Sequence, residues 1–369
     1  MTFFYDYFPP AYKAGGPIQS LWNLSHFLKD AVPIKVVTTA TDHDGSSLQV
    51  PTNDWTSVLS NVSVFYAAGL NLLRWVQFLR RLKSGCLYIN GMYSFRYNLL
   101  PLVFCKANRI VIAPRGMLDK GSLSTKSFKK KLYLHTLRFL GVYRGCIFHA
   151  SSEAEVEGIR SFLGSKHAVK VVSNVPKILS FRTMPTKSEC LNLVTVALIS
   201  PMKNHALVLE ALCSVNYPIK YHIYGPIKDR DYWNACKAIV KRLPQHIKVE
   251  YHGDIQPELV ADVISQCHVY IQPSQSENFG HSLFEALSLG RPVITSHNTP
   301  WNNLLTNKSG INVTNHDTSD LIKAICHFAI VSQRELADWG KAARTYAEAQ
   351  IDLKNLKEQY LDLFGVPCV

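Results

Sequence analysis

Short runs of β-branched and other apolar residues recur along this chain, separated by longer stretches in which apolar positions return every three or four residues. In the first half the runs are Ile34–Ala40, Val62–Tyr66, Cys86–Asn90, Arg109–Ala113 and Cys146–Ala150; in the second they are Asn192–Ala197, Lys220–Tyr224, Lys248–His252, Val269–Gln272 and Pro292–Ser296. Runs of this kind read as strands and the intervening pattern as helices. Strands alternating with helices build a parallel sheet covered on both faces. The rhythm starts twice, which predicts an α/β chain of two Rossmann-like, doubly wound domains at 1–178 and 191–345. A weakly patterned stretch between them, 179–190 with Pro185, is expected as linker. The tail, Gln333–Phe364, reads as helix through Leu336, Tyr346, Leu353, Leu356, Tyr360 and Leu363, and its end, 346–369, is expected to pack back on the first domain. Two such domains facing each other make a cleft at the carboxyl ends of both sheets, where open α/β sheets bind ligands.

Composition sharpens this picture in three ways. A length of 369 residues with 47% hydrophobic content supports two cores, and no low-complexity tract interrupts them. No apolar stretch approaches the roughly 20 residues of a membrane-spanning helix, and Met1–Pro10 has none of the features of a secretory signal. The nine cysteines are scattered, odd in number and without a Cys-x-x-Cys pair, so they read as reduced thiols of a cytoplasmic protein.

Charge is the least even property. Residues 1–180 carry 22 Lys+Arg against 9 Asp+Glu, whereas residues 181–369 carry 18 against 18, so the whole excess of +13 sits in the first half. Lys126, Lys129, Lys130, Lys131 and Arg138 cluster around Leu132, Tyr133, Leu134 and Phe139 in a helical pattern with one cationic side. Each Lys or Arg near an anionic leaflet contributes about 1 kcal/mol, so peripheral contact with the inner face of a cell membrane is expected. No nucleic-acid motif accompanies the charge, and nucleic acid is not expected as a partner.

The stretch richest in chemistry runs from Pro273 to Pro292. A strand ends at Gln272, a polar loop follows, and a helix is expected from about Gly280 to Leu289, stopped by Gly290. Backbone N–H groups of Gly280, His281 and Ser282 at the helix start, with the positive end of the helix dipole, suit a diphosphate. Glu277 lies in the loop and Glu285 in the second helical turn, so the two carboxylates reach different parts of an elongated ligand. Loop residues Asn278 and Phe279 complete this expected donor-binding stretch.

This Glu-x7-Glu arrangement resembles the signature of family 4 glycosyltransferases, retaining enzymes of the GT-B fold. The resemblance implies that Glu277 contacts the transferred sugar and Glu285 the ribose of a nucleotide. It extends to other parts of the chain. Lys13-Ala-Gly15-Gly16-Pro is similar to the family's glycine loop after the first strand, near donor phosphates and acceptor. Lys203, in Ser200-Pro-Met-Lys203-Asn, matches the lysine that pairs with the donor diphosphate. Arg115, in Pro114-Arg115-Gly116, matches a loop near acceptor or diphosphate, and Gly225, in Tyr224-Gly225-Pro226, a turn beside the nucleotide; Thr299-Pro300-Trp301 sits where the donor sugar pocket is lined. The family usually has an arginine five residues before the lysine, where this chain has Leu198.

The implied reaction moves a sugar from a nucleotide-diphosphate donor to a saccharide or lipid-linked saccharide, with retention, in surface-polysaccharide synthesis of the capsule, O-antigen or exopolysaccharide kind. The catalytic group is expected to be Glu277, Lys203 and Arg115, with no metal and no other cofactor. Asp42-His-Asp44 and Asp229-Arg-Asp231 have the Asp-x-Asp form of metal-binding transferases of another fold, but read here as a turn and a helix start. Two alternatives stand beside this reading: a nucleotide-sugar epimerase of the same fold, and a noncatalytic nucleotide-sugar-binding scaffold, to which Leu198 lends weight.

Overall fold

The computed structural model describes residues 1–118, 127–164, 166–314 and 316–367, and for residues 127–131 the backbone alone. Two compact units emerge: residues 1–175 with 352–369, and residues 176–351.

The first unit is built on an eight-stranded sheet of β1 (Thr2–Phe4), β2 (Ile34–Thr39), β3 (Trp55–Leu59), β4 (Val62–Ala67), β5 (Lys83–Asn90), β6 (Lys106–Ala113), β7 (Ile147–Ala150) and β8 (Ala168–Val171). Their spatial order is β3-β4-β2-β1-β5-β6-β7-β8, all parallel except the β3–β4 pair. The helices are α1 (Gly16–Leu28), α2 (Leu72–Arg81), α3 (Leu100–Phe104), α4 (Ser127–Phe139) and α5 (Glu153–Leu163). Alternating side chains of the central strands feed two cores. Phe3, Val36 and Tyr88 pack with α1 on one side, and Phe4, Val37, Leu87 and Ile89 pack with α2, α4 and α5 on the other.

The second unit is a six-stranded parallel sheet of β9 (Leu191–Val196), β10 (Ile219–Tyr224), β11 (Ile247–Tyr251), β12 (Val269–Gln272), β13 (Val293–Ser296) and β14 (Gly310–Val313), in the order β11-β10-β9-β12-β13-β14. Its helices are α6 (His205–Leu212), α7 (Arg230–Val240), α8 (Val260–Ser265), α9 (His281–Ser288), α10 (Thr318–Ile330) and α11 (Gln333–Ala349). This is the doubly wound order with a reversal between β9 and β12, and the reversal opens a crevice at the carboxyl ends of those two strands. In the first unit the corresponding reversal lies between β1 and β5.

The ten strands expected from the sequence are all present, and four more accompany them: β1, β3, β8 and β14. The tail is two helices where one was expected. Asp352 accepts a hydrogen bond from Asn355 N and starts α12 (Leu353–Phe364) after α11 has ended at Ala349. Helix α12 belongs to the first unit, where Tyr360 and Phe364 pack with Tyr88 and Phe3, and Tyr360 Oη donates to Ser173 O.

Residues 179–190, read as linker, lie against the second unit along their length. Lys187 Nζ donates to the carbonyls of Phe328, Ala329 and Val331 at 3.1, 2.6 and 2.7 Å, satisfying orphan acceptors at the end of α10. Arg291, fully buried, donates to the carbonyls of Arg182 and Thr183 and to Ser265 O. The Gly290-Arg-Pro end of the signature is thus a structural clamp.

Candidate functional site

Lys203 follows β9 and Glu277 follows β12, so the topology places both beside the reversal point of the second sheet. Their side chains meet there: Lys203 Nζ lies 2.5 Å from Glu277 Oε1. The same oxygen accepts from Gln272 Nε2 at 2.8 Å and from Ser274 Oγ at 2.7 Å, and the Glu277 side chain is only 10% exposed. Three donors on one oxygen fix the carboxylate, and Oε2 accepts no hydrogen bond among the described residues. Gln272 is itself held by Tyr270 Oη, which donates to Gln272 Oε1 at 2.8 Å. These anchors, Gln272, Ser274 and Tyr270, had not been singled out in the sequence. Their signal was present in a polar Gln-Pro-Ser closing an apolar strand.

Helix α9 begins beside Glu277. Its N-cap is Gly280 at φ 74°, with no side chain capping the first turn. A Cβ at Gly280 would lie 2.9 Å from Leu283 Cδ1, so both the left-handed backbone and the packing require glycine. A glycine N-cap brings no side chain over the helix start, where backbone N–H groups can meet an anion, and Ser282 Oγ donates to Gln272 Oε1 at 3.3 Å. Glu285, on the same helix, is 7% exposed, and its carboxyl accepts no hydrogen bond among the described residues. Burial pushes its pKa up to about 7, opposed by the charge of Lys177.

Other expected residues take structural positions. The Phe279 ring is 4% exposed, edge-on to Trp301 at 5.2 Å, and Phe279 O accepts from Trp301 Nε1 at 2.6 Å, so neither ring nor carbonyl is presented to a ligand. His281 packs on that ring at 4.8 Å, while Asn278 is half-buried in the loop. Gly225 sits at φ 137°, where a Cβ would lie 1.9 Å from Ala197 O. That glycine lets the ends of β9 and β10 approach. Leu198, where the family arginine would stand, is half-buried and its carbonyl lies 3.3 Å from His205 Nε2.

In the first unit the loop after β1 is organised by Asp42. This buried carboxylate accepts from Tyr12 N at 3.0 Å, Lys13 N at 3.2 Å and His43 N at 2.7 Å. Lys13 Nζ pairs with Asp44 at 2.6 Å, which holds the Asp44 carboxyl well below the usual carboxylate range. The Asp-x-Asp sequence thus serves the loop, and Asp229 serves as N-cap of α7 through Tyr232 N. Gly15, at φ 80°, is the N-cap of α1, and a Cβ at Gly16 would meet nothing within 4 Å.

Arg115, at φ 57°, donates through Nε to Asn90 Oδ1 at 3.0 Å, through one terminal nitrogen to Asn174 Oδ1 at 2.5 Å and through the other to Tyr88 Oη at 2.9 Å. Tyr88 Oη lies 2.6 Å from His149 Nδ1, and His149 Nε2 lies 2.8 Å from Val172 O. Burial, helped by Arg115, holds His149 down at about 3, so it is neutral. Its Nε2–H then donates to Val172 O, Nδ1 accepts from Tyr88, and Tyr88 accepts from Arg115. The chain of donors is complete without an ion pair.

Of the basic cluster, Lys126 and the side chains of Lys129, Lys130 and Lys131 fall outside the described residues. Arg138 donates to Phe162 O at 2.5 Å.

Comparison with known proteins bears on the fold and on the second unit. Residues 184–346 match the family model described as "Glycosyl transferases group 1". The matched stretch lies within the second unit. A sequence relative, the phosphatidylinositol N-acetylglucosaminyltransferase gpi3 subunit of Schizosaccharomyces pombe, is 26% identical over 186 residues, covering 49% of this chain and 38% of that subunit. Among solved structures, sucrose-phosphate synthase of Thermosynechococcus elongatus superposes with TM-score 0.72 at 14% identity over 99% of this chain and 98% of that one. WaaG, a glycosyltransferase involved in lipopolysaccharide biosynthesis, gives 0.68 at 16% over 98% of each chain. Anabaena HepE, solved with UDP and glucose, gives 0.67 at 16% over 99% and 98%. The fold is GT-B, and the chain spans 38% of the length of the curated relative it matches.

Proposed function

We propose that the protein transfers a sugar from a nucleotide-diphosphate donor to a saccharide or lipid-linked saccharide acceptor, with retention of anomeric configuration and without a metal, in the synthesis of a surface polysaccharide. The observation that carries this reading is the meeting of Lys203, Glu277 and the uncapped start of α9 at the reversal point of the second sheet. A diphosphate seated against the α9 N–H groups brings its negative charge to Lys203, which can exchange its partner Glu277 Oε1 for a phosphate oxygen. Glu277, still held by Gln272 and Ser274, keeps Oε2 for a hydroxyl of the sugar. Glu285, a buried carboxyl lacking a donor, accepts from the ribose hydroxyls.

In the transfer, the bond from the anomeric carbon to the diphosphate oxygen breaks and a bond from the acceptor oxygen to that carbon forms on the same face. The acceptor proton passes to the departing diphosphate. No protein nucleophile is needed, and the residues contribute by positioning and by compensating charge on the leaving group. Lys203 and the helix terminus do the latter. Arg115, whose donors go to Asn90, Asn174 and Tyr88, shapes the acceptor-side loop of the first unit.

An anionic membrane surface, at the cytoplasmic face, is the proposed location of the acceptor. Helix α2 packs on α3 and α3 lines a cavity with α4 on the first unit, and these helices expose Leu72, Leu73, Val103, Leu132 and Phe139, the last 89% exposed. Arg74, Arg80, Arg81 and Arg96 share this region, and between residues 70 and 150 Asp119 alone is acidic. No helix among the described residues is long and apolar enough to cross a membrane.

The test is turnover. The protein is incubated with UDP-, GDP-, ADP- and dTDP-sugars and with lipid-linked saccharide acceptors in anionic vesicles, with EDTA present. Release of nucleoside diphosphate matched by a new glycoside of the donor's anomeric configuration is expected. An inverted product, an epimerised free donor, or donor binding with no transfer each defeats the reading.

A further inference from the structure

The strand register pairs His222 on β10 with Glu250 on β11. Successive side chains alternate across a sheet, so His252, two residues beyond Glu250, stands on the same side. The opposite side carries Tyr221 and Ile223 into the core against α6 and α7. On the outer side, the sheet ends at β11, and His222, Glu250 and His252 remain partly exposed.

Three ligand-type atoms converge there. His222 Nδ1 lies 3.0 Å from His252 Nε2, Glu250 Oε2 lies 3.5 Å from His222 Nδ1, and it lies 3.7 Å from His252 Nε2. A tetrahedral ion bound at about 2.0–2.1 Å holds its nitrogen and oxygen ligands roughly 3.3 Å apart. The three separations bracket that spacing, so an ion needs only small side-chain adjustments to reach all three. Two imidazoles and a carboxylate are also the ligand set of zinc centres that keep a fourth position open. Nitrogen donors select zinc, cobalt, nickel or copper over magnesium and calcium.

The surroundings favour the ion-ready state. Lys220 Nζ lies 3.3 Å from Glu250 Oε1, which leaves Oε2 turned to the histidines. The imidazoles are stacked, with centroids 5.2 Å apart and 22° between planes, and the Tyr224 ring stacks on His252 at 4.4 Å and 12°.

We propose that His222 Nδ1, His252 Nε2 and Glu250 Oε2 bind one divalent transition-metal ion of the zinc class. The ion ties the edge strand β11 to β10 and fixes the Tyr224 ring ahead of the Gly225 turn. That turn is already closed by Gly225 N donating to Gly253 O at 2.7 Å and Tyr251 Oη donating to Gly225 O at 2.9 Å. The site lies on different strands from Lys203 and Glu277, takes no part in the metal-free transfer proposed above, and stands or falls independently of it.

The experiment uses the full chain, freed of metal by EDTA and then of EDTA by gel filtration, and titrated with zinc against a chromogenic zinc indicator. One equivalent bound with micromolar or tighter affinity is expected, together with a rise in melting temperature on adding zinc. His222→Ala and His252→Ala should each weaken binding by at least about tenfold and abolish the thermal shift. Glu250→Gln keeps the shape and removes one charged ligand; it should weaken binding even if a histidine variant fails to fold. Cobalt in place of zinc should give the intense visible absorption of a four-coordinate site. Wild-type protein that binds no equivalent of zinc overturns the proposal, as does zinc held equally by wild type and the folded variants, which would then sit on the free thiols.

Discussion

Glu155 in the first unit and Glu285 in the second are both buried on helices that follow strands, with exposures of 1% and 7%, yet their carboxyls meet opposite conditions. Glu155 Oε1 accepts from Gly116 N at 2.7 Å, and Oε2 accepts from Ser151 N and Ser151 Oγ, each at 2.8 Å. Glu285 accepts from no side chain or backbone N–H among the described residues, and its pKa rises to about 7 through burial. A buried carboxylate with three donors fastens the fold, here tying the Arg115-Gly116 turn to α5. A buried carboxyl with none costs stability, and a ligand that supplies donors gives such a position its use. Glu277 stands between these states, with one oxygen committed to Lys203, Gln272 and Ser274 and the other open.

This contrast can be broken or sharpened by substituting the carboxylates in turn. The largest effect is expected at Glu277. Glu277→Gln should lower turnover by about a hundredfold or more while the protein still melts as a folded chain, because the loss falls on positioning and charge in the transition state. Turnover within a few-fold of wild type would remove Glu277 from the reacting centre.

Next comes Glu155→Ala, which strands three donors in the first unit. Chemical denaturation should show a loss of about 3 kcal/mol or more. A loss within about 0.5 kcal/mol would mean the turn at Gly116 is held by something else.

Glu285→Gln should do the reverse. Because the folded carboxyl titrates near 7 and the unfolded one near 4.5, the native state binds more protons between these values, and wild-type stability should fall as pH rises from 4.5 to about 7 and then level off. The deficit at higher pH is on the order of 3 kcal/mol, an upper figure. Denaturation curves of Glu285→Gln should lack this pH dependence and show a more stable protein at pH 8. Parallel profiles for the two proteins would mean Glu285 is already compensated.

The smallest effect is expected for Asp44→Asn. The Lys13–Asp44 pair is solvent-exposed, and such pairs contribute little. Melting at ordinary ionic strength should be unchanged, in contrast to Asp42→Asn, whose buried carboxylate organises the same loop.

The sequence made the interior strands legible because each is an apolar run between turn residues, as at Val269–Gln272 before Pro273. It hid β1, which is three residues long, and β8, whose exposed edge position requires no apolar run. The antiparallel β3 was hidden by its partly polar composition, Trp-Thr-Ser-Val-Leu. At the site, Lys203 and Glu277 could be named from their context in the sequence, but their ion pair spans 74 positions and depends on β9 and β12 being neighbours. Phe279 shows what the sequence does not reveal about packing. Its place in the signature suggested a ligand contact, and packing against Trp301 and Phe284 gives it a role in the core. Gln272 and Ser274 escaped notice because a side chain that only holds another has no distinctive spacing of its own.

The central claim, that the reversal point of the second sheet is a nucleotide-diphosphate site read by Lys203 and Glu285, is most directly tested by calorimetry. UDP-, GDP-, ADP- and dTDP-sugars are titrated, with EDTA present, into the wild type, Lys203→Ala and Glu285→Gln. The account predicts that one nucleotide class binds the wild type and that each substitution weakens it by about tenfold or more, in line with losing a charged hydrogen bond. Binding by none of the four, or binding that is indifferent to both residues, would contradict it.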